Sequence, residues 1–326
     1  MALVLPAATS IRFWTLLAVT VLDIGCGASS TAPGRVVLAS VGGEVISKHG
    51  LLDISASGDR TWAATIAPRG ETNLWEVRNR QLHSVAVRFR ADHVIATPNG
   101  VWVVSGDQGG SRLSIRYVTA VAARDEPRVA FRGRCRFHGA VALGAQLWVV
   151  CGRTVMTLSW EAGRPQRRVR GVQFSTILKA GGGIWLVQSD GLRGISGARG
   201  FIKLPRVDRS TWSSSGATVW RVVLGASRVS HVFRIDVRAR TFHRYTVRGP
   251  FPIDEVTQVG RELWGTNLVS KRIVRYRLPS PHQPIGIFST AGRSSSGEVE
   301  IVPARAGAWI VCLSDGEQSL YRATLR

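Results

Sequence analysis

A tryptophan framed by apolar residues returns seven times along the chain. The copies are Asp59-Arg60-Thr61-Trp62, Gly100-Val101-Trp102-Val103-Val104, Gln146-Leu147-Trp148-Val149-Val150, Gly183-Ile184-Trp185-Leu186-Val187, Thr218-Val219-Trp220-Arg221-Val222, Glu262-Leu263-Trp264-Gly265 and Gly307-Ala308-Trp309-Ile310-Val311. Successive tryptophans stand 40, 46, 37, 35, 44 and 45 residues apart. They use most of the 11 tryptophans of a 326-residue chain, so the ladder is not a by-product of composition. Such a period belongs to a supersecondary unit that cannot bury its own faces and must stack on copies of itself.

The residues around each tryptophan say what the unit is. A short alternating segment precedes it, as in His138-Gly139-Ala140-Val141-Ala142-Leu143, and a small turn joins the two. A third alternating segment follows, as in His231-Val232-Phe233-Arg234-Ile235-Asp236-Val237, and then a fourth, as in Thr241-Phe242-His243-Arg244-Tyr245-Thr246-Val247. Period-two alternation between glycine-bounded turns means strands. Four short strands per repeat predict an all-β fold, a seven-bladed β-propeller of four-stranded antiparallel blades. Trp62, Trp102, Trp148, Trp185, Trp220, Trp264 and Trp309 are the expected blade cores. The last repeat supplies three strands before Arg326, and a spare apolar segment, Arg35-Val36-Val37-Leu38-Ala39-Ser40-Val41, precedes the first complete one. That segment is expected to close the last blade and remove an exposed edge.

The first residues read as an address. Arg12 precedes an apolar run from Phe13 to Leu22, too short to span a bilayer as a helix and suited to the core of a secretory signal. Cys26 follows between small residues, with a polar tether after it. This resembles the bacterial lipoprotein signal, in which the cysteine becomes the lipidated first residue. Leu22 stands one place early and Asp23 takes the position where that signal has leucine. The resemblance implies a signal over 1–26 lipidated at Cys26, a tether over 27–34 and a single propeller over 35–326. An ordinary signal cleaved nearby, or an uncleaved anchor, is the alternative. Either way the expected location is extracytoplasmic, on the outer face of the cytoplasmic membrane or secreted.

Cysteine placement agrees with an oxidising compartment. Cys135 and Cys151 flank the Leu143-Gly144-Ala145 turn, so an antiparallel hairpin brings them together as a disulfide candidate, buried free thiols being the alternative. Charge is lopsided: 43 Lys+Arg against 21 Asp+Glu give +22, and only Lys48, Lys179, Lys203 and Lys271 among the basic residues are lysine. An arginine-rich composition follows from coding bias alone, yet such a surface attracts polyanions. The basic-patch candidates are Arg167, Arg168 and Arg170 on an outer strand and Arg272 and Arg275 on a third strand. Charged edge strands also prevent sheet-to-sheet association.

The Gly-x-Leu-Trp-Val and Arg-Ile-Asp grammar of Gly100–Val118, Gln146–Trp160, Thr218–Val237 and Glu262–Leu278 resembles the extracytoplasmic propellers of the streptogramin-lyase, NHL and YVTN repeat groups. The resemblance covers 35–326 and implies architecture. Lyases of that kind use a Glu-x-His pair with acidic help for a magnesium ion. No glutamate here has a histidine two places on, so no catalytic residue carries over, and neither cofactor nor metal is expected. The polar residues at the starts of innermost strands, Asp53, Asp92, His93, His138, Asp254, Glu255 and Glu298, are the candidates for a binding group at the axial mouth. The expectation is a monomeric, membrane-tethered, non-catalytic binding or scaffold module. Its partner would be an envelope protein, an anionic surface polymer or lipid headgroups, and not nucleic acid. A lyase or hydrolase in the axial funnel, and a sensor or assembly subunit of an envelope complex, are the alternatives.

Overall fold

The computed structural model describes residues 36–325 except 42–45, 47–49, 68–71, 79–80, 86, 88, 107–111, 120–127, 160–164, 171–175, 208, 225–227, 268–269, 290–297, 306 and 315–316. The signal, the tether and Cys26 lie outside the described residues. The described chain forms 28 strands in seven four-stranded antiparallel sheets. Each sheet is one blade, numbered here from the axis outward. Blade one is β2 (Gly50–Ser57), β3 (Arg60–Ile66), β4 (Thr72–Arg78) and β5 (Gln81–Val85). Blade two is β6 (His93–Thr97), β7 (Gly100–Gly106), β8 (Arg112–Thr119) and β9 (Arg128–Arg134). Blade three is β10 (Phe137–Leu143), β11 (Gln146–Cys151), β12 (Thr154–Ser159) and β13 (Gln166–Arg170). Blade four is β14 (Thr176–Ala180), β15 (Gly183–Gln188), β16 (Gly191–Ser196) and β17 (Phe201–Lys203). Blade five is β18 (Ser210–Ser215), β19 (Thr218–Val223), β20 (Val229–Asp236) and β21 (Thr241–Arg248). Blade six is β22 (Glu255–Val259), β23 (Glu262–Asn267), β24 (Ser270–Arg277) and β25 (Pro284–Ser289). Blade seven is β26 (Glu298–Ala304), β27 (Gly307–Ser314), β28 (Glu317–Leu325) and β1 (Val36–Ser40).

The innermost strands touch in cyclic order, and β26 returns to β2, so the seven sheets close into a ring. Blade seven is shared between the two ends of the sequence. β1 lies antiparallel to β28, Val36 opposite Leu325 and Ser40 opposite Tyr321, and covers the outer edge of β28 over that stretch. The short turns that lead into the tryptophan strand carry glycine in the left-handed region at Gly58, Gly144, Gly216 and Gly260 (φ 58 to 61°). Two-residue hairpins need positive φ there to match the twist of the flanking strands, and this is why glycine stands in these four turns.

The core is a set of inter-blade layers. Every ladder tryptophan sits on the second strand of its blade, and all seven are 6% exposed or less. Each packs toward the next blade in the chain. Trp62 lies against Val94, Ala96 and Val101 of blade two. Trp102 lies against Leu147 and Val149 of blade three, and Trp148 against Ile177 and Ile184 of blade four. Trp185 shares a cluster with Val219 and Phe233, Trp220 with Val256 and Leu263, and Trp264 with Val299 and Ile301. Trp309 packs against Leu51, Ile54 and Ala63 of blade one and donates its ring N–H to Thr61 Oγ1 at 2.9 Å, which fastens the ring shut. Burying an indole contributes a few kcal/mol, roughly 2–4 by area, at each of these interfaces.

Cys135 and Cys151 are joined by a disulfide, with Cα atoms 5.1 Å apart. Its place differs from that of a cross-hairpin bond. The turn is at Gly144-Ala145, but the β10–β11 register shifts between Phe137 and Gly139, so Cys151 faces Phe137. Cys135 lies before β10, next to the end of β9, and is buried in the layer between blades two and three. The bond therefore pins the connection between two blades onto the second strand of blade three. Closing a loop of this length contributes about 3 kcal/mol in the chain-entropy model. Cys312 is buried in the blade-six to blade-seven layer.

Trp102 is fully buried, 4.8 Å from the ring of Tyr117, and its Nε1 has no partner among the described residues. Trp102→Ala should cost about 3–5 kcal/mol in denaturant unfolding. Trp102→Phe should cost clearly less, because it keeps an aromatic ring and removes a buried N–H that bonds to nothing.

Candidate functional site

Seven strands radiating from an axis diverge from one another, so backbone groups on neighbouring inner strands cannot form a continuous ladder. Side chains bridge the gaps. The Val94 amide donates to Asp53 Oδ2 at 2.9 Å, and the Ala96 amide donates to Ser55 Oγ at 2.9 Å, tying β6 to β2. On the other side of the ring Ser213 Oγ donates to the Val256 carbonyl at 2.5 Å, and Thr211 Oγ1 donates to the Asp254 carbonyl. The inner strands line an open axial cavity of about 780 Å³, with residues from blades one to five.

Asp53, His93 and His138 line this cavity. Backbone irregularity places two of them. β2 slips register between Leu51 and Asp53, and β10 slips at Phe137/Gly139, so His138 is the extra residue of a bulge and is turned out of the ladder. Asp53 has little acceptor capacity left. Its Oδ1 accepts the Ile54 amide at 2.8 Å, and its Oδ2 accepts the Val94 amide and stands 3.4 Å from His93 Nδ1. The hydrogen bond to Asp53 holds the His93 pKa above the usual imidazole value, against partial burial, with Asp53 and Asp92 charge adding to it. His93 also leans on Phe137, ring centres 5.2 Å apart. With Nδ1 turned to the carboxylate, Nε2 is the imidazole atom left for other work.

Of the remaining mouth candidates, Asp92, Asp254 and Glu255 are not among the described lining of the cavity. Asp92 precedes β6 and clips it to the tryptophan strand: its amide donates to the Val104 carbonyl at 2.9 Å and its Oδ2 accepts the Gly106 amide at 2.7 Å. Arg90 Nε pairs with its Oδ1 at 2.5 Å. Asp254 repeats the device in blade six, where its amide donates to the Thr266 carbonyl and Asn267 Nδ2 donates to its Oδ2 at 2.8 Å. Glu255 begins β22 beside it. Glu298 begins β26, and its side chain lies outside the described residues.

Four polar groups of the cavity escaped sequence reasoning: Ser55, Ser57, Lys179 and Ser214. Lys179 was the legible one. It is exposed between buried Leu178 and Ala180 on β14, a lone ammonium in an apolar inner strand and one of four lysines in the chain. Val94, Ile95, Ala140, Val141 and Leu178 supply apolar wall. The arrangement has apolar sides, hydroxyls, an ammonium and two imidazoles, one of them with a raised pKa. That chemistry suits holding an anionic or hydrogen-bonding group.

The basic-patch candidates separate as well. Arg167, Arg168 and Arg170 lie on β13, the outermost strand of blade three, and their side chains are outside the described residues. Arg272 is exposed on β24. Arg275 is no surface group: it is 5% exposed, and its guanidinium is turned inward onto Glu262.

No family profile matches the sequence, and no curated protein matches it. Solved structures do. A form of KlHsv2 with loop 6CD replaced by a Gly-Ser linker is 12% identical with a TM-score of 0.58, over 85% of this chain and 98% of that one. Sqt1 of Saccharomyces cerevisiae is 7% identical with a TM-score of 0.53, over 86% of this chain and 97% of that one. A puromycin-hydrolyzing peptidase of Mycobacterium tuberculosis is 13% identical with a TM-score of 0.53, over 92% of this chain but 57% of the peptidase. At such identities the likeness is one of fold alone.

The Asp53–His93 pair makes a pH prediction. A histidine whose folded pKa is raised stabilises the fold fully below its unfolded pKa, about 6.5, and loses that contribution as pH rises through the folded value. In an NMR titration His93 should therefore titrate above 6.5, and Asp53→Asn should bring it down. An unchanged His93 titration in Asp53→Asn would mean that the carboxylate does not hold the imidazole.

Proposed function

We propose that this chain is an exported, lipid-anchored propeller that acts as a non-catalytic binding module outside the cytoplasm, with its ligand in the axial cavity. The observation that carries the reading is that cavity of about 780 Å³, within the size range of small-ligand sites and lined by a few polar groups set in apolar wall. Asp53 favours binding over turnover, because its oxygens are committed to two backbone amides and to His93. The Cys135–Cys151 disulfide supports an oxidising compartment, and the apolar run after Arg12 supports export.

The ligand class is anionic. Lys179, His138 and His93 face the same space, and a net charge of +22 concentrates anions around the whole molecule. Acidic envelope polymers and phospholipid headgroups fit this chemistry. An assembly role has less support: the exposed large apolar side chains Leu52, Val129, Phe201, Val229, Phe242 and Ile287 are spread over five blades.

Two experiments test the reading. Cys26→Ser should move the protein from the membrane fraction to the soluble one; retention in the membrane removes the lipid anchor from the proposal. Residues 30–326 should bind isolated envelope polymers or anionic vesicles in a salt-sensitive way. Lys179→Ala with His138→Ala should weaken that binding at least tenfold with little change in melting temperature. If Arg167→Ala, Arg168→Ala and Arg170→Ala together abolish it while the cavity pair does not, the ligand sits on the outer strand and the axial reading falls.

A further inference from the structure

Two arginines are sealed inside the ring, Arg275 on β24 and Arg221 on β19, the latter 1% exposed. Arg275 has its counter-charge. Its Nε donates to Glu262 Oε2 at 2.7 Å and its Nη2 donates to Glu262 Oε1 at 2.5 Å, so a carboxylate closes the Nε–Nη2 edge of the guanidinium as a bidentate pair.

Arg221 has no such partner. Its Nη1 donates to the Pro205 carbonyl at 2.7 Å. Its guanidinium carbon stands 4.9 Å from the ring centre of Trp212 and 5.9 Å from that of Phe233. Its Nε is buried with no hydrogen-bond partner, and no carboxylate pairs with it, among the described residues. Burial pulls its pKa below the ordinary arginine value with no acidic group to restore it. The position is odd at the level of the repeat too. The residue after the ladder tryptophan is apolar in the other six blades: Ala63, Val103, Val149, Leu186, Gly265 and Ile310. Blade five alone puts a charge there, and a buried charge without a partner strongly destabilises a fold.

We propose that Arg221 is the anchor of a second ligand site, which holds a carboxylate in the way Arg275 holds Glu262. Trp212 is the cross-strand partner of Arg221, and Trp212 and Val223, two residues on from Arg221, are only partly buried. Pro205, whose carbonyl accepts from Arg221, belongs to the connection from blade four to blade five. Arg206 and Arg209 are exposed on that connection and raise the local concentration of anions. Aromatic rings against the guanidinium leave its in-plane edge for a ligand. An edge-on approach between aromatic side chains favours a flat carboxylate over a tetrahedral phosphate.

The test is thermal melting of the purified full-length chain at fixed pH and ionic strength, with chloride replaced stepwise by acetate, benzoate or phosphate. Acetate and benzoate should raise the melting temperature of the wild-type chain with saturation, and phosphate should do less. Arg221→Met should remove the carboxylate response. Arg221→Lys should weaken it about tenfold, because an ammonium keeps the charge but has no fork. Should Arg221→Met fail to fold, Arg221→Lys answers the question alone. Equal melting of the wild type in chloride and acetate overturns the proposal, and so does an undiminished response in either variant. A phosphate response equal to that of acetate overturns the carboxylate assignment. Asp208, in the sequence of the same connection, is the competing counter-charge: an acetate response that appears only in Asp208→Asn also overturns it.

Discussion

Each blade of this protein is a four-stranded sheet with two apolar faces, and the elements of the described residues are all strands, so these faces must be buried against other blades. That constraint sets the ring. It explains why the tryptophan always sits on the second strand, far enough from the axis for neighbouring sheets to have diverged by the width of an indole. It also explains why all seven indoles point the same way round: each fills the gap toward the next blade, and the next blade's inner and second strands supply the other wall. Closure has to be made by chain, since a ring of separate sheets has one seam. Here the seam is inside blade seven, where β1 pairs with β28, and the bond from Trp309 to Thr61 ties that blade to blade one.

The same geometry governs polar residues near the axis. Inner strands are too far apart for a shared ladder and too close for water to satisfy all their amides, so short polar side chains are spent as bridges. Asp53 and Ser55 serve β6 in this way, and Thr211 and Ser213 serve the connection to blade six. Asp92 and Asp254 act within a blade, clipping the start of an inner strand to the end of its neighbour. Carboxylates at such places are first of all structural. The groups left facing the cavity with donor capacity to spare are imidazoles, an ammonium and hydroxyls, and that balance is what the proposal of an anionic ligand rests on.

Arginine plays several unlike roles in one chain. On exposed strands it contributes to the field of a strongly basic protein and is screened by salt over about 8–10 Å. Arg275 is buried, charged and matched by Glu262, which also accepts the ring N–H of Trp264 at 2.8 Å. Arg221 is buried against aromatic rings with one edge of its guanidinium unmatched among the described residues. Composition counts these residues alike, and only their surroundings tell them apart.

The sequence by itself determined the architecture. Seven tryptophans at blade spacing, period-two alternation and glycine at the hairpin turns are all local signals, and burial of sheet faces leaves little choice once they repeat. The spare apolar segment at 35–41 was legible as the closing strand for the same reason, because an unpaired edge is costly. What only the tertiary structure decided is which polar residues share a space. Asp53, His93, His138 and Lys179 come from four blades and meet because the strands carrying them converge on one axis, while Asp92 and Asp254, alike in sequence position, are absorbed into backbone bonds. A single-residue bulge at Phe137/Gly139 turned His138 out of the ladder and moved Cys151 opposite Phe137, a shift that no count of residues reveals. Arg275 read as surface charge because alternation marks the face of a strand but not what the neighbouring strand places against it, and that neighbour was Glu262.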